Sequence, residues 1–246
     1  SKHYLSYFES LRLILAASVI NMIMPSKMGD VIKSVFMVKH NGMNNAQSLS
    51  IVLFEKISDL LALLFWCGFG LFTFQSNQSL FLILTPIVIV GFFFGLLILT
   101  YMKFARLFFS FISCISPKNI KEKIKALESG WLEMIIHISR DKVKFGGIMF
   151  YSIFLWLLHL SQIWIFIKAL NLNVPFLDNL ALSPLAIFIG LAPFTIAGIG
   201  TRDAAFVFIY SNYFDAEYAA ALGIFATMRY IIPALFGIPF LSRYLH

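Results

Sequence analysis

Charged side chains inside apolar stretches are the residues of this sequence that could do chemistry, because a charge held away from water is costly and is usually paired or functional. They are Glu55, Lys56, Asp59 and Arg229. Glu55 and Asp59 are four residues apart and therefore share one face of a helix. Side chains of opposite charge in such a setting pair with one another or bind a charged ligand, so the chemistry indicated is ion binding.

A second group of polar and charged residues lies at two breaks, residues 24–29 and 193–200, where proline and glycine interrupt the apolar pattern. We expect a short helix to begin after each break, with its N-terminus at Ser26 or Thr201. A helix N-terminus presents free N–H groups and about half a positive charge, which suits a phosphate. The predicted headgroup-binding residues are Ser26, Lys27, Gly29, Asp30, Gly200, Thr201, Arg202, Asp203 and Arg229.

Two interpretations of these charges stay open. In the first, an anionic lipid headgroup binds between the two helix N-termini and Arg229 adds a bidentate contact. Asp30 and Asp203 then tether the cations when the site is empty. In the second, the charges form an internal salt-bridge network, such as Glu55 with Arg229, that only stabilises helix packing.

The composition indicates that membrane helices position these residues. Apolar residues make up 60% of the chain and charged residues 13%, whereas a soluble domain is about a quarter charged. The net charge of +7 is assigned to loops that face anionic lipid, so no nucleic-acid partner is expected. The sequence carries no motif of a soluble active site, and neither catalysis nor a metal or cofactor is expected.

The apolar pattern predicts six long helices, at about residues 6–24, 46–74, 80–102, 145–170, 180–197 and 215–241. Two shorter helices follow the breaks, at about 26–39 and 201–211, and at about 20 Å they are too short to cross a bilayer. We predict that each folds back as a re-entrant hairpin. The predicted fold class is an all-α polytopic membrane protein, an inverted repeat with two re-entrant broken-helix hairpins.

Loop charges predict the orientation of the chain. Residues 103–144 carry nine lysines and arginines, so this segment is expected in the cytoplasm, whereas the loops at 75–79 and 171–179 lack basic residues and are expected outside. The chain is then a single membrane domain, residues 1–246. It divides into half-repeat 1 at about 1–102, a cytoplasmic amphipathic loop at about 103–144 and half-repeat 2 at about 145–246.

Within the basic loop, apolar residues recur every three or four positions. They are Ile120, Ile124, Leu127, Trp131, Ile135 and Ile138. The pattern predicts an amphipathic helix that lies on the cytoplasmic membrane surface or packs on a soluble partner.

Four short motifs carry a family resemblance. Pro-Ser-Lys-Met-Gly-Asp at residues 25–30 resembles the Pro-Gly-Arg-Leu-Gly-Glu element of the lysylphosphatidylglycerol synthase transmembrane-domain family, and Glu-Lys with Asp59 resembles its Glu-Arg…Asp. Thr-Ile-Ala-Gly-Ile-Gly-Thr-Arg-Asp at residues 195–203 resembles Thr-Pro-Gly-Gly-Leu-Gly-Val-Arg-Glu, and Arg229 falls where an arginine follows. Lys27 stands in place of an arginine, so bidentate recognition is not expected there.

The resemblance implies a lipid flippase-like domain. Bifunctional members translocate aminoacylated phosphatidylglycerol that a soluble synthase domain makes, and other relatives accompany polyprenyl-phosphate sugar pathways. We therefore expect translocation of an anionic phospholipid or polyprenyl-phosphate-linked lipid in a prokaryotic inner membrane, with membrane lipids and a soluble synthase or glycosyltransferase as partners. Two alternatives stay open: an integral-membrane glycosyltransferase that uses a polyprenyl-phosphate donor, and a non-transporting anchor for a soluble lipid-modifying enzyme.

Overall fold

A computed structural model describes residues 6–23, 29–41, 44–74, 79–192 and 198–245. Within these residues the chain forms ten α-helices and no strand, which confirms the all-α class. The helices are α1 (Tyr7–Ile23), α2 (Gly29–Asn41), α3 (Asn45–Thr73), α4 (Ser79–Thr100), α5 (Met102–Ile115), α6 (Lys118–Arg140), α7 (Lys142–Ala169), α8 (Phe176–Gly190), α9 (Thr201–Ile209) and α10 (Ala216–Leu245).

Helix ends coincide with the two breaks predicted from proline and glycine. The first break separates α1 from α2, and the second separates α8 from α9. Gly198 and Gly200 have φ angles of 76° and 94°, a left-handed backbone that glycine adopts without steric cost, and they lead the chain into α9. Ser26 and Lys27 lie outside the described residues.

Three described helices are long and apolar enough to cross a bilayer: Leu80–Thr100, Lys142–Ala169 and Ala216–Leu241. Helix α3 has 29 residues, which is also long enough, but it carries Glu55, Lys56 and Asp59. Helices α1, α2, α8 and α9 have between 9 and 17 residues. The chain is therefore membrane-embedded, while the re-entrant path of α1–α2 and α8–α9 stays a prediction.

Each half of the chain packs one helix on the other half in a corresponding way. Helix α1 packs on α10 and on α2, and α8 packs on α3 and on α9. Each cross-packing is made close by a glycine, because a Cβ on Gly70 of α3 would lie 2.0 Å from the Ala181 carbonyl oxygen of α8. A Cβ on Gly237 of α10 would lie equally close to the Leu15 carbonyl oxygen of α1.

We expect Gly70→Ala to push α3 away from α8, because the new methyl group meets backbone that cannot rotate aside. Overpacking of this kind costs about 1–3 kcal/mol of unfolding free energy. The matched control is Gly68→Ala on the same helix, where a Cβ would have nothing within 4 Å. Gly68→Ala should leave the unfolding midpoint in detergent unchanged or raise it. Equal midpoints for the two variants would contradict the close helix packing at Gly70.

The basic segment 103–144 contains two helices, α5 and α6, where the sequence predicted one amphipathic helix. The central part of the apolar face of α6 is buried inside the protein, although Ile120 at its start is 47% exposed. Trp131 is 1% exposed and donates its indole N–H to the Ile98 carbonyl oxygen of α4 at 3.1 Å. Ile124 and Ile135 are buried in the same cluster. The prediction that this face lies on the membrane surface is therefore wrong, because the same periodicity serves packing on α3, α4 and α5.

The predicted orientation is tested by labelling single cysteines in a Cys114→Ser background, since Cys67 is buried and Cys114 is exposed. Lys118→Cys, at the start of α6, should react only with reagent supplied on the cytoplasmic side. Asn173→Cys, between α7 and α8, should react only from outside. Asn77, in the other loop that is expected on the outer side, is not among the described residues. Labelling of residue 118 from outside with 173 protected would reverse the orientation.

Candidate functional site

The first charge cluster joins α2 to α3 through four side chains. The Asp30 carboxylate contacts Lys56 Nζ at 2.7 Å and Lys33 Nζ at 3.2 Å, and Lys33 Nζ contacts Glu55 Oε1 at 2.8 Å. Two acids and two bases therefore alternate across the interface, and the cluster is neutral as a whole. Asp30 therefore holds two cations, Lys33 and Lys56, that the sequence analysis had not assigned to it.

Lys33 is the functional-site residue that sequence reasoning missed. Its position three residues after Asp30, on the same face of α2, was the available signal. Lys33 also takes the partner that the sequence assigned to Arg229. Among the described residues, the predicted Glu55–Arg229 ion pair is not formed, because Glu55 faces α2.

We expect Asp30→Asn to destabilise the protein far more than Glu55→Gln. The Asp30 side chain is 9% exposed and compensates two cations, whereas Glu55 is 51% exposed and compensates one. Removing a buried partner costs about 3 kcal/mol or more, while a half-exposed pair contributes about 1 kcal/mol or less. Thermal unfolding of the two variants in the same detergent gives the comparison. The opposite order would show that the cluster is not organised around Asp30.

Asp59 belongs to a different contact from its neighbours on α3. Its Oδ1 accepts a hydrogen bond from the Trp156 indole N–H of α7 at 2.8 Å, and its backbone carbonyl accepts from the same N–H at 3.1 Å. Asp59 therefore joins α3 to α7 and does not take part in the Asp30 cluster.

The second cluster lies where α9 packs on α10. Arg202 is 4% exposed. Its Nη2 donates to Asp203 Oδ1 at 2.8 Å, to the Gly223 carbonyl oxygen at 2.9 Å and to Thr227 Oγ1 at 2.7 Å. Asp203 thus tethers Arg202 as predicted, and the guanidinium connects two helices. Protein acceptors occupy the donors of Nη2, and headgroup binding by Arg202 stays a prediction.

Protein side chains also occupy N–H groups at the starts of both short helices. The Gly29 N–H donates to Asn21 Oδ1 of α1 at 2.8 Å, and the Gly200 N–H donates to Asp203 Oδ2 at 3.0 Å. Acceptors at a helix N-terminus complement its partial positive charge. The two termini are therefore partly capped from within, and an anion would have to compete with Asn21 or Asp203 for these donors.

Arg229 has a donor nitrogen that no acceptor among the described residues satisfies. Its Nη2 donates to the Tyr230 hydroxyl at 2.6 Å, and the guanidinium lies 4.7 Å from the centre of the Tyr230 ring. Its Nη1 is buried and has no acceptor among the described residues. Arg229 lies inside the candidate span Ala216–Leu241. A buried donor without a partner is costly, so this nitrogen favours the approach of an anion.

A buried polar network among α7, α8 and the end of α9 was not predicted from the sequence. The Asn179 side-chain amide donates to the Leu160 carbonyl oxygen at 2.9 Å, and its Oδ1 accepts from the Ser183 and Tyr210 hydroxyls at 2.9 and 3.2 Å. Asn179, Ser183 and Tyr210 are fully buried and join α7, α8 and the end of α9. Single polar residues in apolar stretches were the available signal.

The turn between α9 and α10 is held by one strong hydrogen bond. The Tyr213 hydroxyl donates to Asp178 Oδ2 at 2.6 Å. Burial and this hydrogen bond together raise the pKa of Tyr213 to about 12. The contact fixes the turn against the start of α8.

The fold and the site define a polytopic, all-helical membrane protein with charged side chains buried at two broken-helix pairs. Residues 2–237 match the family model of the lysylphosphatidylglycerol synthase TM region. The chain belongs to that family, a membrane domain associated with lipid modification or translocation. No curated protein and no solved structure shows a significant match to the chain.

Proposed function

We propose that this protein translocates an anionic lipid, either a phospholipid or a polyprenyl-phosphate-linked lipid, across the membrane in which it is embedded. The observation that carries the proposal is Arg229, a half-buried guanidinium with one buried nitrogen that lacks an acceptor in the described part of the chain. A phosphate or carboxylate headgroup supplies that acceptor and forms a charge-assisted hydrogen bond.

A comparison of the two ends of the chain supports this assignment. Lys56 follows Asp30 by 26 residues, and Arg229 follows Asp203 by 26 residues. Lys56 is paired with Asp30, whereas Asp203 is paired with Arg202. The first cluster has two cations and two acids, whereas the second has two cations, Arg202 and Arg229, and one acid, Asp203. If the two halves are repeats, the second half lacks one acid, and Arg229 is the cation without a carboxylate among the described residues. The headgroup would complete the charge balance of the second half.

The reciprocal packing of α1 on α10 and α3 on α8 supports an inverted repeat. In transporters built from inverted repeats, the substrate site lies at the interface of the halves and rocking of one half against the other exposes it to each side. We propose that the headgroup follows this polar interface while the acyl or prenyl chains stay in the bilayer. The membrane would be the inner membrane of a prokaryote, and a soluble synthase or glycosyltransferase would act on the same lipid.

Native mass spectrometry of the purified protein tests the lipid class. We expect a phosphate-bearing lipid of net negative charge to co-purify, and added phosphatidylglycerol to bind in preference to phosphatidylcholine with the same acyl chains. Equal binding of the two lipids would contradict a site built on an unpaired guanidinium.

A further inference from the structure

The groove between α5 and α6 is a second cluster of cations that the proposed function does not use. It has a volume of about 690 Å³ and is open at the protein surface. Its charged lining residues are Lys103, Arg106, Lys121, Lys125 and Glu128. The remaining lining is formed by Leu107, Ser110, Ser113 and Cys114.

The charge of this groove is not neutralised from within. None of its four cations forms an ion pair with a carboxylate of the described residues, and Glu128 is the one acid in the lining. The groove therefore carries a net charge of about +3 from the lining residues at neutral pH. Such a cluster costs electrostatic repulsion in the free protein and favours an anion that several cations can contact at once.

An apolar stripe runs along α5 beside the basic lining. Leu107, Phe111 and Ile115 follow one another at four-residue spacing and are 69%, 65% and 69% exposed. Leu107 also lines the groove, so the stripe and the basic cluster meet along one helix. A surface that has cations next to exposed large apolar side chains matches a phospholipid. Its phosphate binds to the cations and its acyl chains contact the apolar side chains.

We infer that the α5–α6 groove binds the phosphate headgroup of an anionic phospholipid, whose acyl chain lies along Leu107, Phe111 and Ile115. The lipid is one of the leaflet that the basic segment faces, which the loop charges predict to be cytoplasmic. This site is separate from Arg229 and does not depend on translocation. It fixes the α5–α6 pair on the membrane surface and holds an anionic lipid beside the transmembrane helices.

The experiment uses the full chain in nanodiscs of phosphatidylcholine that contain a photo-crosslinkable phosphatidylglycerol with the reactive group in its acyl chain. Peptide mass spectrometry then locates the adducts. We expect adducts on Met102–Ile115 with this probe and few with a phosphatidylcholine probe of the same chain. Arg106→Gln with Lys125→Gln removes one cation from each side of the groove. The adduct yield at α5 should then fall about tenfold or more at limiting probe, since each cation near an anionic lipid contributes about fivefold.

The matched control is Lys118→Gln with Lys123→Gln, which removes the same charge from α6 outside the groove. It should leave the yield at α5 within a factor of about two, because salt screens the effect of each charge beyond its immediate surroundings. An equal loss in the two double variants would assign the effect to overall charge and overturn the site. Unlabelled phosphatidylglycerol and a soluble acidic peptide are then added as competitors. If the peptide abolishes the adducts and the unlabelled lipid does not, the groove binds a protein partner and the assignment to a lipid is overturned. Because the readout is confined to α5, it is independent of Arg229.

Discussion

Arg202→Ala is expected to lower the unfolding free energy by about 3 kcal/mol, since it removes one partner of a buried ion pair. Arg202 is 4% exposed and its Nη2 serves three acceptors on α9 and α10. Without it, the Gly223 carbonyl and Thr227 lose a donor, and Asp203 keeps the Gly200 N–H alone. The thermal unfolding midpoint in detergent should fall sharply.

Two further variants define what Arg202 does. Arg202→Lys should restore only part of the stability, because an ammonium group keeps the charge but not the planar fork of donors. Arg140→Ala, at the exposed end of α6, removes the same side chain from a surface position and should leave the midpoint unchanged. If Arg202→Ala unfolds at the same temperature as the parent while lipid binding falls, Arg202 is a ligand of the headgroup and not a tether between helices.

Arg229→Gln is expected to reduce the affinity for phosphatidylglycerol at the translocation site by about tenfold to a hundredfold. A hydrogen bond to a charged group contributes about 1.5–3 kcal/mol, and each 1.4 kcal/mol is tenfold in affinity. Glutamine keeps a donor near Tyr230 but carries no charge. Because the parent Nη1 has no acceptor among the described residues, the change should not lower stability and should raise it if anything. Native mass spectrometry with titrated lipid measures the affinity, in an Arg106→Gln, Lys125→Gln background so that the α5–α6 groove does not contribute.

The control for Arg229→Gln is Arg140→Gln, which makes the same chemical change at an exposed position. Arg140→Gln should bind phosphatidylglycerol as the parent does. A loss of stability in Arg229→Gln, with lipid affinity unchanged, would place Arg229 in a structural network and remove the observation on which the proposed function rests.

Helix positions and breaks were predictable from the sequence because local chemistry decides them. Helix α1 ends before the first break and α2 begins at its last residue, while α8 ends before the second break and α9 begins after it. Apolar length alone located α4, α7 and α10. The role of the residues next to the breaks as a headgroup site stays a prediction. In the structure Asp30 contacts two lysines and Asp203 contacts Arg202.

Partners across helices were not predictable, because they depend on which faces meet. Glu55 pairs with Lys33 and not with Arg229, since α3 packs on α2 and α8 whereas α10 packs on α1 and α9. The apolar face of α6 has the same period whether it meets lipid or protein, and Trp131 shows that it meets protein. The unsatisfied nitrogen of Arg229 is likewise a property of its surroundings, which no spacing in the sequence reveals.

The central claim is that this protein carries an anionic lipid across a bilayer, and the most direct measurement is the rate of translocation in reconstituted liposomes. Fluorescent phosphatidylglycerol and fluorescent phosphatidylcholine with the same chains are placed in both leaflets. Impermeant dithionite then reports the fraction that reaches the outer leaflet. We predict rapid translocation of phosphatidylglycerol, slower translocation of phosphatidylcholine, and loss of the difference in Arg229→Gln. Translocation of neither lipid above the rate of protein-free liposomes, or of both at equal rates that Arg229→Gln does not change, would contradict the claim.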